Sequence, residues 1–125
     1  MRIRISSGNI SAFANLNGSE TAKKILAALP IEGRANRWGD EIYFEIPVSI
    51  EEAKDARTNV EIGELGYWPP GSALCIFFGK TPVSTGKEPK AYSPVNVFGK
   101  IKGDDTIFKK VKDGEKIIVE KIDGE

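Results

Sequence analysis

The sequence feature that most constrains the fold is the run from Ser72 to Phe78, in which every residue after the serine is apolar. A strand with one face toward water alternates apolar and polar side chains, and this run has no polar face. It therefore predicts a strand that is covered on both sides or packed within a closed barrel. A chain of 125 residues is long enough to bury one substantial core, so we expect a single domain over residues 1–125.

Further short segments predict a mainly β domain with two helices. Alternating or continuous apolar residues predict strands near residues 2–6, 10–16, 34–38, 41–46, 72–78, 95–101 and 115–122. Helical spacing of apolar residues after the N-cap Ser19 predicts a helix over residues 19–29, and a second helix is predicted over residues 104–111. Residues 49–56 are interpreted as a short helix or a loop, and residues 82–94 as an exposed loop.

Residues 34–46 have the pattern of a hairpin around a two-residue Gly-Asp turn. This turn would place Trp38 opposite Glu41, Asn36 opposite Tyr43 and Arg34 opposite Glu45. One face would then carry Arg34, Asn36, Trp38, Tyr43 and Glu45, and the other would carry Ala35, Ile42, Phe44 and Ile46. The second face is typical of a core. The first is too mixed for a core and too aromatic for ordinary solvent-exposed surface.

The composition excludes several kinds of catalytic and metal site. The chain has no histidine, which excludes Ser-His-Asp and Cys-His machinery and every histidine-ligated metal site. The single cysteine, Cys75, excludes an internal disulfide and any site that needs several thiolates. Its apolar neighbours favour a buried thiol over a nucleophile. We therefore expect no metal and no cofactor.

Charge and hydropathy predict a cytoplasmic protein with neither a nucleic-acid nor a membrane partner. Lys plus Arg and Asp plus Glu both number 18, so there is no strong basic field for nucleic acid. No stretch approaches the roughly 18 apolar residues that a membrane span needs, and the first residues alternate in polarity instead of forming a signal peptide. The lack of glutamine and the many Ile, Lys and Glu residues are typical of a thermophilic source.

Residues 66–71, Gly-Tyr-Trp-Pro-Pro-Gly, form the most distinctive short motif. The prolines stiffen the backbone, and Tyr67 and Trp68 offer large rings with polar tips. The motif fits a rigid corner that plugs one end of a barrel. It also fits the wall of a pocket for a planar or proline-containing ligand. In that case Arg34 and the aromatic residues of the hairpin would complete the pocket.

Several motifs resemble those of cyclophilins. Residues 72–76 (Ser-Ala-Leu-Cys-Ile), 80–81 (Lys-Thr) and 95–101 (Val-Asn-Val-Phe-Gly-Lys-Ile) are similar to the C-terminal half of that family. There a Ser-Gln-Phe-Phe-Ile strand, a Lys-Thr exit and a Val-Val-Phe-Gly-Lys-Val strand follow one another. The chain also resembles the small prokaryotic cyclophilin-like proteins, through residues 38–39, 41–44, 67–71 and 78–82. This second resemblance covers nearly the whole chain and implies a closed barrel of about eight strands with two helices capping its ends.

The resemblance carries the frame of the fold but not the catalytic set. Cyclophilins hold the arginine that stabilises the twisted amide in a Phe-His-Arg sequence shortly before a proline, whereas the counterpart here, residues 43–47, reads Tyr-Phe-Glu-Ile-Pro. The phenylalanine of the family's proline pocket falls on Cys75, its pocket tryptophan falls near Val83, and its histidine has no equivalent. Arg34 or Arg37 would have to supply a displaced cation.

We therefore expect a cyclophilin-like domain that binds a small molecule or a peptide segment without efficient catalysis. The expected ligand-binding residues are Trp38, Tyr43, Tyr67, Trp68, Cys75, Phe77 and Asn96. Neighbours on a strand point to opposite faces, so not all of them can line one pocket. Two alternatives stay open: a peptidyl-prolyl isomerase that uses Arg34 or Arg37, and an accessory subunit of a larger enzyme complex with a partner protein.

Overall fold

The computed structural model describes residues 1–122, and within them it shows ten β-strands, one α-helix and two 3₁₀ helices. The strands are β1 (Arg2–Ser7), β2 (Ile10–Leu16), β3 (Ile31–Arg34), β4 (Asn36–Arg37), β5 (Glu41–Glu45), β6 (Arg57–Asn59), β7 (Glu64–Trp68), β8 (Ala73–Phe77), β9 (Lys90–Lys102) and β10 (Lys116–Lys121). Helix α1 spans Glu20–Ala28, and the 3₁₀ helices span Pro69–Gly71 and Asp105–Lys110. The prediction of a mainly β fold is confirmed, with ten strands instead of about eight.

The strands form one antiparallel sheet in the order β3-β10-β1-β2-β9-β7-β8-β5-β4, and β6 pairs with β9 beside this path. Strand β8 lies between β7 and β5, and all five of its residues are buried. The predicted strand at residues 72–78 is thus confirmed as one that is covered on both faces. This burial explains why the segment carries no polar face.

The two outermost strands of the sheet, β3 and β4, are consecutive in the chain and are joined by Ala35. Strand β3 pairs with β10 and strand β4 pairs with β5, and no ladder within residues 1–122 joins β3 to β4 or β5. Hydrogen bonds between the described residues therefore do not close the sheet.

Apolar side chains cover both faces of the sheet around β5 and β8. The main core includes Ile42, Phe44, Leu74 and Ile76 of these two strands. A second, smaller cluster on the opposite face consists of Val60, Cys75, Phe77, Ala91 and Val95. Alternate residues of β8 enter the two clusters because successive side chains of a strand point to opposite faces. The candidate functional site lies on the face of the second cluster.

The first helix forms where the sequence predicts it. The Ser19 hydroxyl accepts a hydrogen bond from the backbone N–H of Ala22 at 3.1 Å, which satisfies one of the free N–H groups at the helix start. The second predicted helix, residues 104–111, is a 3₁₀ helix over Asp105–Lys110. The Asp104 carboxylate caps it by accepting from the backbone N–H of Thr106 at 2.9 Å.

Residues 49–56 form an irregular segment without a helix, so the loop alternative is the correct one. Two buried side chains hold this segment and the residues before it. The Tyr67 hydroxyl donates to the carbonyl of Val48 at 2.6 Å, and the Asn96 side chain accepts from the backbone N–H of Ala53 at 2.8 Å. Both side chains therefore hold the backbone of residues 48–53 in place, on the face of the main core.

The hairpin turn predicted at residues 39–40 is confirmed. The backbones of Trp38 and Glu41 exchange hydrogen bonds of 2.9 and 3.2 Å, and Asn36 pairs with Tyr43. Gly39 has a φ of +62°, a conformation that glycine adopts without a steric penalty. Local turn chemistry therefore sets the register of this pair of strands.

The predicted continuation of the hairpin to an Arg34–Glu45 pair is wrong. Arg34 pairs with Lys116 of β10, and Glu45 pairs with Ala73 of β8. The chain leaves the hairpin at Ala35, whose N–H donates to the carbonyl of Glu115, the residue before β10.

The exposed loop is shorter than the predicted range of 82–94, because β9 already begins at Lys90.

Candidate functional site

A pocket of about 200 Å³ opens on the face of the sheet that carries the second cluster. Its lining comes from the turn between β4 and β5 and from strands β5, β7, β8 and β9. The lining residues are Trp38, Glu41, Tyr43, Trp68, Cys75, Ala91, Tyr92 and Val95. Four of these eight residues are aromatic and one is a carboxylic acid, and we call the site the aromatic pocket.

Tyr92 joins the two tryptophans of the chain at the outer wall of this pocket. Its ring centroid lies 6.2 Å from that of Trp38 and 6.1 Å from that of Trp68, and both contacts are edge-to-face. Tyr92 as a whole residue is nevertheless 74% exposed. The rings of Trp38, Tyr92 and Trp68 therefore form one continuous aromatic wall of the pocket, which is open to solvent at Tyr92.

Trp68 is held in place from two sides. Its indole N–H donates to the Ser93 hydroxyl at 2.6 Å, and this bond ties the end of β7 to β9. On the other side, a Cβ at Gly71 would lie 2.7 Å from the Trp68 ring, so only glycine leaves room for the ring there. The stiff Trp-Pro-Pro-Gly segment therefore orients one wall of the pocket.

The floor of the pocket is formed by β5 and β8. Tyr43 lies directly opposite Cys75, and Glu41 lies opposite Phe77, so these four side chains share one face of the strand pair. Phe77 is fully buried in the second cluster beneath the pocket. The hairpin thus positions Glu41 and Tyr43 over an apolar support.

Glu41 is the one acidic side chain of the pocket lining, and it is only 6% exposed. Its Oε1 atom is buried and has no hydrogen-bond partner in the part of the chain that the structure describes. Burial raises the pKa of Glu41 from 4.5 to about 7, although a side-chain hydrogen bond with Cys75 acts in the opposite direction. A carboxyl group with such a pKa changes its charge near neutral pH.

Cys75 is not poised as a nucleophile. It is 2% exposed, and burial raises the pKa of its thiol well above the usual range, with the neighbouring Glu41 carboxylate adding to the effect. The thiolate fraction at neutral pH is correspondingly small. Cys75 therefore acts in the pocket as a small apolar side chain.

The structure brings four of the seven predicted ligand-binding residues together, and these are Trp38, Tyr43, Trp68 and Cys75. The other three lie elsewhere. Tyr67 and Asn96 hold the loop on the face of the main core, and Phe77 lies under the pocket floor. The adjacent pair Tyr67 and Trp68 shows the cause, since neighbouring strand residues point to opposite faces.

Neither candidate catalytic arginine lines the aromatic pocket. The Arg37 guanidinium donates to the backbone carbonyls of Gly39, Lys109 and Val111 and lies 5.1 Å from the centre of the Phe78 ring. Arg34 is exposed and lies near the Gly114 carbonyl, at 3.5 Å. Arg37 therefore holds the backbone at the end of the 3₁₀ helix Asp105–Lys110.

Sequence reasoning did not identify Glu41 and Tyr92 as parts of the site. The signal for Glu41 was present, because alternation along β5 places it on the same face as Tyr43. Tyr92 gave no such signal, since it follows a stretch rich in Pro, Gly, Ser and Lys that is typical of a loop.

Residues 1–122 lack two kinds of feature. No group of three or more acidic or cysteine side chains there has the arrangement of a metal site. No helix in the same range is long and apolar enough to cross a membrane.

The comparisons with known proteins agree with the mainly β fold. The model of the Cyclophilin-like family matches residues 1–120. The solution structure of the hypothetical protein AF2241 from Archaeoglobus fulgidus is similar, with a TM-score of 0.83 and 43% sequence identity over 98% of this chain and 95% of that one. A search of the curated proteins found no match. The match over residues 1–120 shows that this chain belongs to the cyclophilin-like family.

Proposed function

We propose that this cyclophilin-like protein binds a small molecule or a short peptide segment in the aromatic pocket, without efficient catalysis. The observation that carries the proposal is a concave site of four aromatic rings around one buried carboxyl group. Ligand sites are typically concave and mostly apolar, with few polar groups that orient the ligand. The volume of about 200 Å³ fits a small ligand or a single side chain.

The geometry favours binding over prolyl isomerisation. Isomerisation needs a cation that stabilises the twisted amide next to an apolar slot for proline. The lining of the aromatic pocket contains neither lysine nor arginine. Arg37, the less exposed of the two candidates, donates its hydrogen bonds to backbone carbonyls outside the pocket. We therefore expect exchange across X-Pro bonds of test peptides to stay at the uncatalysed rate, measured by magnetisation-transfer NMR.

We also propose that the sheet closes on itself as a barrel. Two facts support this: β3 and β4 are joined by Ala35 alone, and a Cβ on Gly33 of β3 would lie 2.6 Å from the Phe44 ring of β5. The Gly33 backbone of one outermost strand therefore lies close to the Phe44 ring of the strand next to the other. Nuclear Overhauser effects between the Gly33 α-protons and the Phe44 ring protons would support closure, and their absence would contradict it.

The binding proposal is tested by a fragment screen followed by NMR of the ¹⁵N-labelled protein. We expect hits to shift the indole signals of Trp38 and Trp68 and the amide signals of Ala91 and Tyr92. Tyr92→Ala removes an exposed wall and should weaken the hits. The matched control is Phe13→Ala, which removes another exposed ring, at 43% exposure, on β2. Hits that cluster elsewhere, or a broad library without hits, would overturn the proposal.

A further inference from the structure

The aromatic pocket combines two features that point to one class of ligand. The rings of Trp38, Tyr43, Trp68 and Tyr92 line the cavity together with Glu41, whose buried Oε1 atom has no hydrogen-bond partner among residues 1–122. We infer that the pocket binds a small organic cation, an ammonium group with apolar substituents, between the rings and the Glu41 carboxylate. The inference rests on the proposed binding function and specifies its ligand class.

The rings supply the first part of the recognition. Aromatic faces carry negative electrostatic potential, and a cation placed over them gains most when it is desolvated, with tryptophan the strongest partner. Both tryptophans of the chain lie in this lining. Alkyl substituents on the nitrogen would meanwhile fill the apolar space beside Cys75 and Val95.

Glu41 supplies the second part. A buried carboxylate with an oxygen that lacks a hydrogen-bond partner is costly, and a bound cation reduces that cost. The other titratable groups of the lining are Tyr43 on β5, Cys75 on β8 and Tyr92 on β9. Burial raises the pKa of the Cys75 thiol, so this group is uncharged near neutral pH. Asp40, next to Glu41 in the chain, is paired with Arg37 at 3.4 Å.

The absence of cationic side chains from the lining completes the argument. Lysine and arginine are missing among the eight lining residues, so no cationic side chain within residues 1–122 lines the pocket beside Glu41. Because burial raises the pKa of Glu41 to about 7, binding of a cation would release a proton from it. The affinity for a cation is therefore expected to increase as the pH rises from 6 to 8.

The test compares choline with 3,3-dimethylbutan-1-ol, a neutral analogue in which carbon replaces the charged nitrogen. Tryptophan fluorescence reports on binding directly, because both tryptophans line the pocket. At pH 8 we expect choline to bind at least tenfold more tightly than the neutral analogue. Glu41→Gln should lower the choline affinity about tenfold and remove its pH dependence, whereas the neutral analogue should bind both proteins equally.

The control variant is Glu45→Gln, which removes an exposed carboxylate four residues after Glu41 on β5 and should leave choline binding unchanged. Equal binding of the two probes, or a choline affinity that falls with rising pH, would overturn the inference while leaving the proposed binding function intact. Binding of neither probe would overturn the inference as well, and the fragment screen would then decide the proposed function separately. The pH dependence of the unmodified protein keeps the test valid if Glu41→Gln fails to fold.

Discussion

The indole N–H of Trp68 donates to the Ser93 hydroxyl at 2.6 Å and so connects the last residue of β7 with β9 at the edge of the aromatic pocket. We expect Ser93→Ala to lower the free energy of unfolding by about 1 kcal/mol, because a partly buried donor loses its partner. The Trp68 indole proton should also exchange faster with solvent. Urea unfolding and NMR exchange measure the two effects, and Ser11→Ala, at an exposed position of β2, is the control. An unchanged exchange rate would contradict the prediction.

The raised pKa of Glu41 predicts that its contribution to stability depends on pH. The folded-state pKa, about 7, lies above the usual value of 4.5, so the folded protein holds the proton more tightly than the unfolded chain. The resulting stabilisation is complete below about pH 4.5 and is lost as the pH rises toward and through 7. The effect over the whole window is on the order of 3 kcal/mol.

The measurement is urea unfolding of the unmodified protein and of Glu41→Gln at pH 5 and at pH 8. We expect the variant to gain stability relative to the unmodified protein as the pH increases. Glu45→Gln, at an exposed position of the same strand, should show no such gain. A stability difference that is the same at both pH values would refute the assignment to Glu41.

The N-cap of helix α1 offers a test of local stabilisation. Ser19→Ala removes the acceptor for the N–H of Ala22 and should cost about 1 kcal/mol of unfolding free energy. Ser49→Ala changes an exposed serine in an irregular segment and should cost much less. If both variants unfold at the same urea concentration, the cap contributes nothing.

Replacement of Arg37 and of Arg34 should have different effects on the free energy of unfolding. Arg37 donates to three backbone carbonyls and packs over Phe78, so Arg37→Ala is expected to lower the unfolding free energy by about 2 kcal/mol. Arg34→Ala, at an exposed position, is the matched control and should cost under about 0.5 kcal/mol. Equal losses in thermal and urea unfolding would argue against a structural role specific to Arg37.

Local chemistry explains which parts of the fold could be predicted. The N-cap Ser19, the turn at Gly39 and the apolar run of β8 each encode a structure within a few residues. The pairing of Arg34 with Lys116 could not be predicted, because it joins residues far apart in the chain. Strand β6 has only three residues and gave no periodic signal.

Some residues of the candidate site could likewise be predicted from local sequence, and others could not. Trp38 and Tyr43 were recognised because one hairpin places them on one face. The choice between Tyr67 and Trp68 depends on the register of β7 against β8 and β9, which only the folded sheet defines. The role of Glu41 depends on its burial and on an oxygen without a partner, and both result from tertiary packing.

The continuity of β3 and β4 through Ala35 has a consequence for how copies of the protein meet in a crowded solution. The outer strands of a sheet template intermolecular pairing when they are long, flat and unpaired. Here the outermost strands have four and two residues, and they belong to one uninterrupted segment of chain. A neighbouring molecule therefore finds little exposed backbone along which to add a strand, which protects a mainly β protein from edge-to-edge aggregation.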